Sequence, residues 1–195
     1  MFSLNRHVAD MFTVTNCLDT GGGSLRQVIT NANANAGIDT ITFNIPNTDP
    51  GYTTEAGATF WRIQPASNLP TITETVIIDG STQTANQGNT NTYGPEIMLD
   101  GANVSVGPPE GLYITTDECV VKSLIINYFR SSGYGILIEA ANSNRIYGCY
   151  IGTDATGANS VNNYIGIGMA SHSQSNIIGS TESANINIIS GQSLA

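Results

Sequence analysis

Apolar residues recur with a helical period near the start of the chain, in the stretch GGGSLRQVITNANANAG. Four of them fall at positions i, i+3, i+4 and i+7, which places them on one face of a helix: Leu25, Val28, Ile29 and Ala32. Ser24 and Gln27 form a Ser-x-x-Gln capping box before this face, and Gly37 suits the left-handed turn that ends a helix. The pattern predicts one amphipathic helix between Ser24 and Gly37.

The pattern changes to strand-like alternation after this helix, over residues 40–45. Short apolar segments separated by turn residues then continue along the chain: TVIIDG (75–80), EIMLDG (96–101), GLYI (111–114), VVKSLIINYF (120–129), GILIEA (135–140), SNRIYGCYIGT (143–153), GIGMA (166–170), SNIIGS (175–180) and INIISG (186–191). The segments that begin at Gly111, Gly135 and Gly166 share a Gly-apolar-x-apolar start, which indicates an internal repeat.

A repeat of about 20 to 30 residues with two or three short strands is typical of a parallel β-solenoid. Asn residues at the corners favour the same fold, because Asn tolerates left-handed backbone and can bond from one coil to the next. A β-sandwich is the alternative all-β interpretation, in which Asp79-Gly80 and Asp100-Gly101 are hairpin turns. The internal period favours the solenoid.

In such a fold the predicted helix would cover the first coil. Without a cover, that coil exposes apolar side chains and unpaired backbone groups to water. The predicted organisation is an N-terminal extension, 1–11, followed by a single domain, 12–195. In that domain, 12–45 contain the cap strand, cap helix and first strand, and 46–195 contain coils with loop insertions. No C-terminal cap is recognised, so the chain is expected to belong to a longer solenoid or to self-associate through its last coil.

The net charge limits which classes of molecule the protein is expected to bind. Fifteen acidic and six basic residues give a net charge of −9, which argues against nucleic acid and anionic lipid surfaces. No apolar run approaches the roughly 20 residues that span a bilayer, and the opening segment lacks a signal peptide.

Cys17, Cys119 and Cys149 are expected to be free thiols, with a Cys119–Cys149 disulfide as the alternative. His7 and His172 lack ligand partners at metal-site spacing, so no metal or cofactor is predicted.

Two similar segments, TVIIDG and EIMLDG, each place a carboxylate near their end, and these carboxylates are the candidate catalytic or Ca²⁺-binding residues. Asp79 and Asp100 could lie one above the other with Asn127 beside them, and such a pair could bind Ca²⁺ or act as acid and base on a sugar. The structural interpretation is that each Asp bonds the local turn before its Gly. Three or more carboxylates around a basic residue in a groove would favour an enzyme, whereas scattered acids favour a scaffold.

Basic and aromatic residues are the other candidates. A lyase needs a cation near the scissile bond, and the chain offers three candidates: Lys122, Arg130 and Arg145. Three aromatic residues are interpreted as core, with a sugar-binding platform as the alternative: Tyr52, Phe60 and Trp61.

The order of several segments carries a resemblance: FTVTNCLDTGGGSLRQVITNANANAGIDTITFNIP, LPTITETVIIDGSTQ, IMLDGA, NRIYGCYIGTDATGA and NIISG. Together they resemble the N-terminal region of secreted bacterial right-handed parallel β-helix repeat proteins, in which a Ser-Leu-Arg helix caps the first coil. The resemblance implies an all-β, right-handed parallel β-helix with one N-terminal capping α-helix, at an extracellular or cell-surface location. It implies no particular activity.

These observations predict an extracellular structural or adhesive module that is not catalytic. It is expected to be part of a longer surface protein or to self-associate through its last coil. The alternative is a carbohydrate-active enzyme, a polysaccharide lyase or glycoside hydrolase, or a carbohydrate-binding protein, with Asp79 and Asp100 as candidate catalytic residues. A polysaccharide is the expected ligand in that case.

Overall fold

The computed structural model describes residues 9–182 and 185–193, which form three β-sheets, two α-helices and one short 3₁₀ helix. The first sheet contains, in spatial order, β1 (Met11–Val14), β2 (Asp39–Phe43), β5 (Val76–Asp79), β8 (Val120–Lys122), β11 (Arg145–Tyr147) and β14 (Ile177–Ile178). The second contains β3 (Tyr52–Glu55), β4 (Ala58–Ile63), β6 (Ile97–Asp100), β9 (Leu124–Asn127), β12 (Tyr150–Ile151) and β15 (Ile188–Ile189). The third contains β7 (Glu110–Ile114), β10 (Tyr134–Glu139) and β13 (Ile165–Ala170).

Neighbouring strands are parallel, except that β3 and β4 form an antiparallel hairpin. The registers align apolar residues from strand to strand: Ile78 lies between Ile41 and Val121 in the first sheet, and all three are buried. Such columns of side chains from the three sheets meet in one hydrophobic core. The core extends from Val14 to Ile151 along the chain.

The prediction of an all-β, right-handed parallel β-helix with a single capping helix is wrong. The described residues form three mostly parallel sheets with two α-helices, an α/β-like arrangement. The apolar repeat in the sequence marks strand segments only; α2 (Ser81–Gln87) has no apolar stripe, and the β3–β4 hairpin is antiparallel, so neither follows from that repeat. The β-sandwich alternative also fails, because the pairing is predominantly parallel.

The helix predicted between Ser24 and Gly37 is confirmed as α1 (Leu25–Asn33), but its C-cap is Ala34 and not Gly37, and the Gln27 side chain donates to Asn31 instead of bonding back to Ser24. The Ser24 hydroxyl accepts a hydrogen bond from the backbone N–H of Gln27, which caps the first turn. The four residues of the predicted apolar stripe are all buried, and the helix packs on β1 and β2: Leu25, Val28, Ile29 and Ala32. Hydrophobic burial of this face therefore holds α1 against the first sheet.

The second helix is held by a polar side chain. Gln83 is fully buried, and its side-chain amide accepts from the N–H of Ile45 at 2.9 Å and donates to its carbonyl at 2.8 Å. Thr82 and Asn86 add bonds to the backbone of Phe43. These side-chain hydrogen bonds satisfy the backbone N–H and C=O groups that follow β2, which elsewhere in the sheet are satisfied by a neighbouring strand.

Asparagine side chains link loops that lie next to each other in space but are 25 to 34 residues apart along the chain. The Asn residues between the strand segments predict bonds of this kind. The Asn144 side chain accepts from the Cys119 N–H at 2.7 Å, and the Asn144 N–H donates to the Asn176 side chain at 2.8 Å. In another turn, Asn163 bonds the N–H of Phe129 at 3.0 Å. These bonds satisfy backbone donors at positions where the strand ladders stop.

The two ends of the three sheets differ. At one end, β1 and β3 are edge strands with one strand partner each; α1 packs on β1, and the backbone of Ile72 bridges β7. At the other end lie β13, β14 and β15, which have a strand partner on one side only within the described ranges. Within the described ranges these three strands are therefore edge strands, and we call their unpaired sides the open edges.

Candidate functional site

The two candidate aspartates lie in different sheets. Asp79 ends β5 in the first sheet, beside Lys122, whereas Asp100 ends β6 in the second sheet, beside Asn127. The prediction that Asp79 and Asp100 stack is therefore wrong, although the expected neighbourhood of Asp100 and Asn127 is confirmed. Spacing along the chain did not reveal that α2 and a long loop separate the two aspartates.

Each of these aspartates bonds the turn that follows it. Asp79 accepts from the Ser81 N–H at 3.1 Å and forms an ion pair with Lys122 at 2.8 Å. Asp100 accepts from the Ala102 N–H at 2.9 Å and from the Gln64 side chain at 2.9 Å. Both carboxylates thus serve as local hydrogen-bond acceptors, in agreement with the structural interpretation.

Acidic residues surround Arg62, which the sequence analysis did not select. Its guanidinium bonds Glu55 from the hairpin, and its Nε lies 3.5 Å from Asp100 Oδ2. A small cavity of about 120 Å³ adjoins this group and is lined by Glu55, Arg62, Asn127 and Asp154, among others. We call these residues, with Asp100, the Arg62 cluster. The signal that could have identified it is the two-residue spacing of Phe60 and Arg62, which places both on one face of a strand, and the guanidinium does lie over the Phe60 ring.

The carboxylates of the Arg62 cluster are engaged by other groups. Asp154 accepts from Thr156 and from Asn159, and these hydrogen bonds outweigh burial and lower the pKa of Asp154. Asp100 is almost fully buried, and Glu55 bonds the guanidinium. Acid–base catalysis needs a carboxyl that can exchange its proton with a substrate. The Arg62 cluster therefore resembles a bracing network more than an acid–base pair.

A second acidic group lies on the third sheet. The Tyr113 hydroxyl donates to Glu139, and the Ser171 hydroxyl donates to the other oxygen of that carboxylate at 2.9 Å. These bonds lower the pKa of Glu139, and the same contact raises the pKa of Tyr113 to about 12. Burial, followed by the charge of Glu139, raises the pKa of Glu110. Glu139 is thus stabilised as a carboxylate acceptor.

A larger groove of about 430 Å³ lies between the loop of residues 88–96 and the second sheet. Its lining combines two tyrosines, Tyr93 and Tyr150, with hydroxyl and amide side chains and with apolar residues of the last strand region. Tyr93 is 54% exposed, whereas Tyr150 is half-buried and donates its hydroxyl hydrogen to the Tyr93 carbonyl. We call this feature the tyrosine groove.

The remaining candidates occupy structural positions. Trp61 and Phe60 are fully buried, and the Trp61 ring packs on Tyr52 with 4.7 Å between centroids, which confirms the core interpretation. The Arg130 guanidinium lies over the Tyr128 ring at 4.3 Å, and Arg145 is exposed on β11. His7 lies outside the described residues. Among the residues that are described, no group of three His, Cys, Asp or Glu side chains is arranged to hold a metal ion.

The three cysteines are free thiols: Cys119 and Cys149 are buried, and Cys17 is half-buried. The expectation of unpaired thiols is confirmed. Burial, reinforced by Asp49, raises the pKa of Cys17, and burial raises that of Cys119 to about 11 and that of Cys149 to about 12. The thiols therefore stay protonated at neutral pH, and protonated thiols are poor nucleophiles.

Thiol reactivity follows as a prediction. At pH 8 the native protein should react slowly with Ellman's reagent at Cys119 and Cys149, whereas all three thiols should react once it is unfolded in guanidinium. A thiol pKa above its ordinary value of 9.0 in the folded state stabilises folding fully below pH 9 and less as the pH rises beyond that value. The free energy of unfolding should accordingly fall between pH 9 and pH 11. Fast stoichiometric labelling of the native protein would contradict the burial of these thiols.

The two described α-helices have 9 and 7 residues, far fewer than the roughly 20 that a membrane-spanning helix needs. Comparison of the chain with models of known protein families and with curated proteins finds no match.

Proposed function

We propose that this chain is a non-catalytic structural or adhesive module of an extracellular or cell-surface protein, and that it associates with a second copy through the open edges of its three sheets. The location rests on the sequence resemblance. The association rests on one observation: within the described ranges, β13, β14 and β15 have no strand partner on their outer side, whereas at the other end α1 packs on β1 and Ile72 bridges β7. Open parallel edges favour pairing with another chain.

Buried columns of the core end at these edges. Ile138 in β10 is fully buried, but its register neighbour Met169 in β13 is 52% exposed. Ile151 in β12 is fully buried, and its neighbour Ile189 in β15 is 43% exposed. A further layer of strands would remove these two side chains from water, as the next strand does for each earlier member of the column.

The open end also lacks the charges that usually block strand pairing. From residue 165 to residue 193 the sequence has a single formally charged side chain, Glu182, although the chain as a whole carries a net charge of −9. Natural edge strands commonly carry Lys, Pro or inward-pointing charges that discourage association. Two copies can therefore approach through this end with little electrostatic repulsion.

The contacts of the acidic residues support a non-catalytic module over a carbohydrate-active enzyme. Asp79 is paired with Lys122, and Asp100 with Arg62 and Gln64. A catalytic acid in a glycosidase or lyase has to protonate a leaving group or remove a proton, which requires a carboxyl or base turned towards the substrate. Here the candidate carboxylates point their oxygens at protein donors.

Sedimentation equilibrium tests the proposed association. The weight-average mass of the wild type should rise above the monomer mass of 20.5 kDa as the concentration increases. The variants Met169→Lys and Ile189→Lys place a charge at the open end and should remain monomeric at concentrations where the wild type is dimeric. Val106→Lys is the matched control, because Val106 is 74% exposed in a loop away from the open edges, and it should associate like the wild type.

Two results would refute the proposed association. One is a wild-type mass that stays at 20.5 kDa up to about 1 mM, the concentration at which an association of about 4 kcal/mol is half complete. The other is equal association of the wild type and both open-end variants. Thermal unfolding of each variant shows whether its monomer remains folded.

A further inference from the structure

We infer that the tyrosine groove binds an uncharged saccharide chain, with the exposed Tyr93 ring as the stacking surface. This inference does not depend on the proposed self-association. The groove of about 430 Å³ falls within the range of about 300–1,000 Å³ that is usual for small-molecule sites. Its lining combines the loop of residues 88–96 with Gly80 and Ser123, which follow strands of the first sheet, and with Tyr150 and Ile188 of the second sheet.

The backbone that carries Tyr93 is firmly braced, although the ring itself is exposed. Glu96 is 1% exposed and accepts from Thr84 and from the backbone N–H of Thr90 and Asn91. The Asn91 side chain donates to the carbonyls of Pro95 and Ala155, which ties the loop to the segment around Ala155. An exposed aromatic ring on a braced loop binds with little loss of conformational entropy.

Tyr150 positions this loop from the side of the sheet. Its ring packs so closely on Gly94 that a Cβ there would lie 2.4 Å from the ring, and it also contacts Gly157. Burial raises the pKa of Tyr150, so its hydroxyl remains a donor to the Tyr93 carbonyl. Tyr150 is therefore a positioning residue, and Tyr93, the more exposed of the two tyrosines, is the residue that we assign to ligand contact.

The lining specifies an uncharged ligand. Its one acidic side chain, Glu96, is buried and already bonded, and no basic residue is among the lining residues. The net charge of −9 also disfavours an anionic glycan. Hydroxyl and amide groups from Ser81, Asn89 and Thr92 can bond sugar hydroxyls, while the Tyr93 ring can pack on the apolar C–H face of a pyranose.

Isothermal titration calorimetry with defined hexasaccharides tests the inference. The probes are linear β-glucan, α-glucan, mannan and xylan hexasaccharides, with hexagalacturonate as the anionic counterpart. The wild type should bind at least one neutral probe and should bind hexagalacturonate more weakly. Tyr93→Ala should weaken the binding of that probe about tenfold or more, as expected for a central aromatic anchor.

Two further variants separate stacking from general damage. Tyr93→Phe keeps the ring and should bind within about threefold of the wild type, because the ring carries the contact. Tyr134→Ala removes a half-buried tyrosine from the third sheet, outside the groove, and should bind like the wild type. The inference is overturned if no neutral probe binds, if hexagalacturonate is preferred, or if Tyr93→Ala binds as well as the wild type.

Discussion

Replacing Gly80 with alanine is expected to destabilise the fold by about 3 kcal/mol or more. A Cβ at this position would lie 1.9 Å from the carbonyl oxygen of Ser123 and 2.9 Å from a methyl of Leu124. The first of these neighbours is backbone, so the contact cannot be relieved by rotating a side chain. Either the first helical turn of α2 or the segment between β8 and β9 has to move.

Backbone propensity alone predicts the opposite sign for this substitution. Gly80 has φ −65° and ψ −23°, a helical conformation in which alanine normally stabilises by about 0.4–1 kcal/mol. The steric overlap is the larger effect, so the net change should be strongly unfavourable. Gly22→Ala is the matched control, because its Cβ would meet no atom within 4 Å, and its stability should change by less than about 1 kcal/mol.

Urea denaturation followed by circular dichroism measures both glycine variants. The midpoint should fall sharply for Gly80→Ala and stay near the wild-type value for Gly22→Ala. Equal midpoints for Gly80→Ala and the wild type would show that α2 does not approach the β8–β9 connection as closely as described.

Replacing Leu25 with aspartate is expected to abolish cooperative folding. Leu25 is 2% exposed, and its side chain lies in the core between α1 and the first sheet. Loss of the leucine costs about 2–5 kcal/mol, and burial of an unpaired carboxylate adds several more. A negative charge near a helix N-terminus returns only about 0.3–1 kcal/mol. The sum approaches the whole stability of about 5–15 kcal/mol of a natural domain.

Leu18→Asp provides the comparison, because Leu18 is 57% exposed shortly before the same helix. Thermal unfolding should show a cooperative transition near the wild-type midpoint for Leu18→Asp and no cooperative transition for Leu25→Asp. A Leu25→Asp variant that melts within a few degrees of the wild type would mean that the α1 stripe contributes little to the core.

The sequence predicted those elements whose apolar residues follow a regular period. The stripe of α1 and its Ser24 cap were readable because four apolar residues follow the helical spacing and a hydroxyl precedes them. The segments TVIIDG and EIMLDG likewise became β5 and β6. Local pattern was sufficient where burial alone decides the conformation.

Features that depend on contacts distant in sequence were not predicted. The sequence STQTANQ has no apolar stripe that would indicate a packed helix. α2 is held instead by the Gln83 side-chain amide, which bonds the backbone of Ile45, 38 residues earlier, and a contact so distant in sequence leaves no local pattern. Asp79 and Asp100 end the similar segments VIIDG and IMLDG, but these strands belong to different sheets. The spacing of two segments along the chain does not specify which sheet each strand joins. The same limit hid the Arg62 cluster and the tyrosine groove, which are assembled from segments far apart along the chain.

Hydrogen exchange at several protein concentrations tests the proposed association most directly, because it reports on the edge strands themselves. Backbone amides of β13, β14 and β15 should exchange more slowly as the concentration rises, while those of β1 should exchange at the same rate throughout. Exchange in β13 to β15 that is independent of concentration would contradict the pairing of two copies through these open edges.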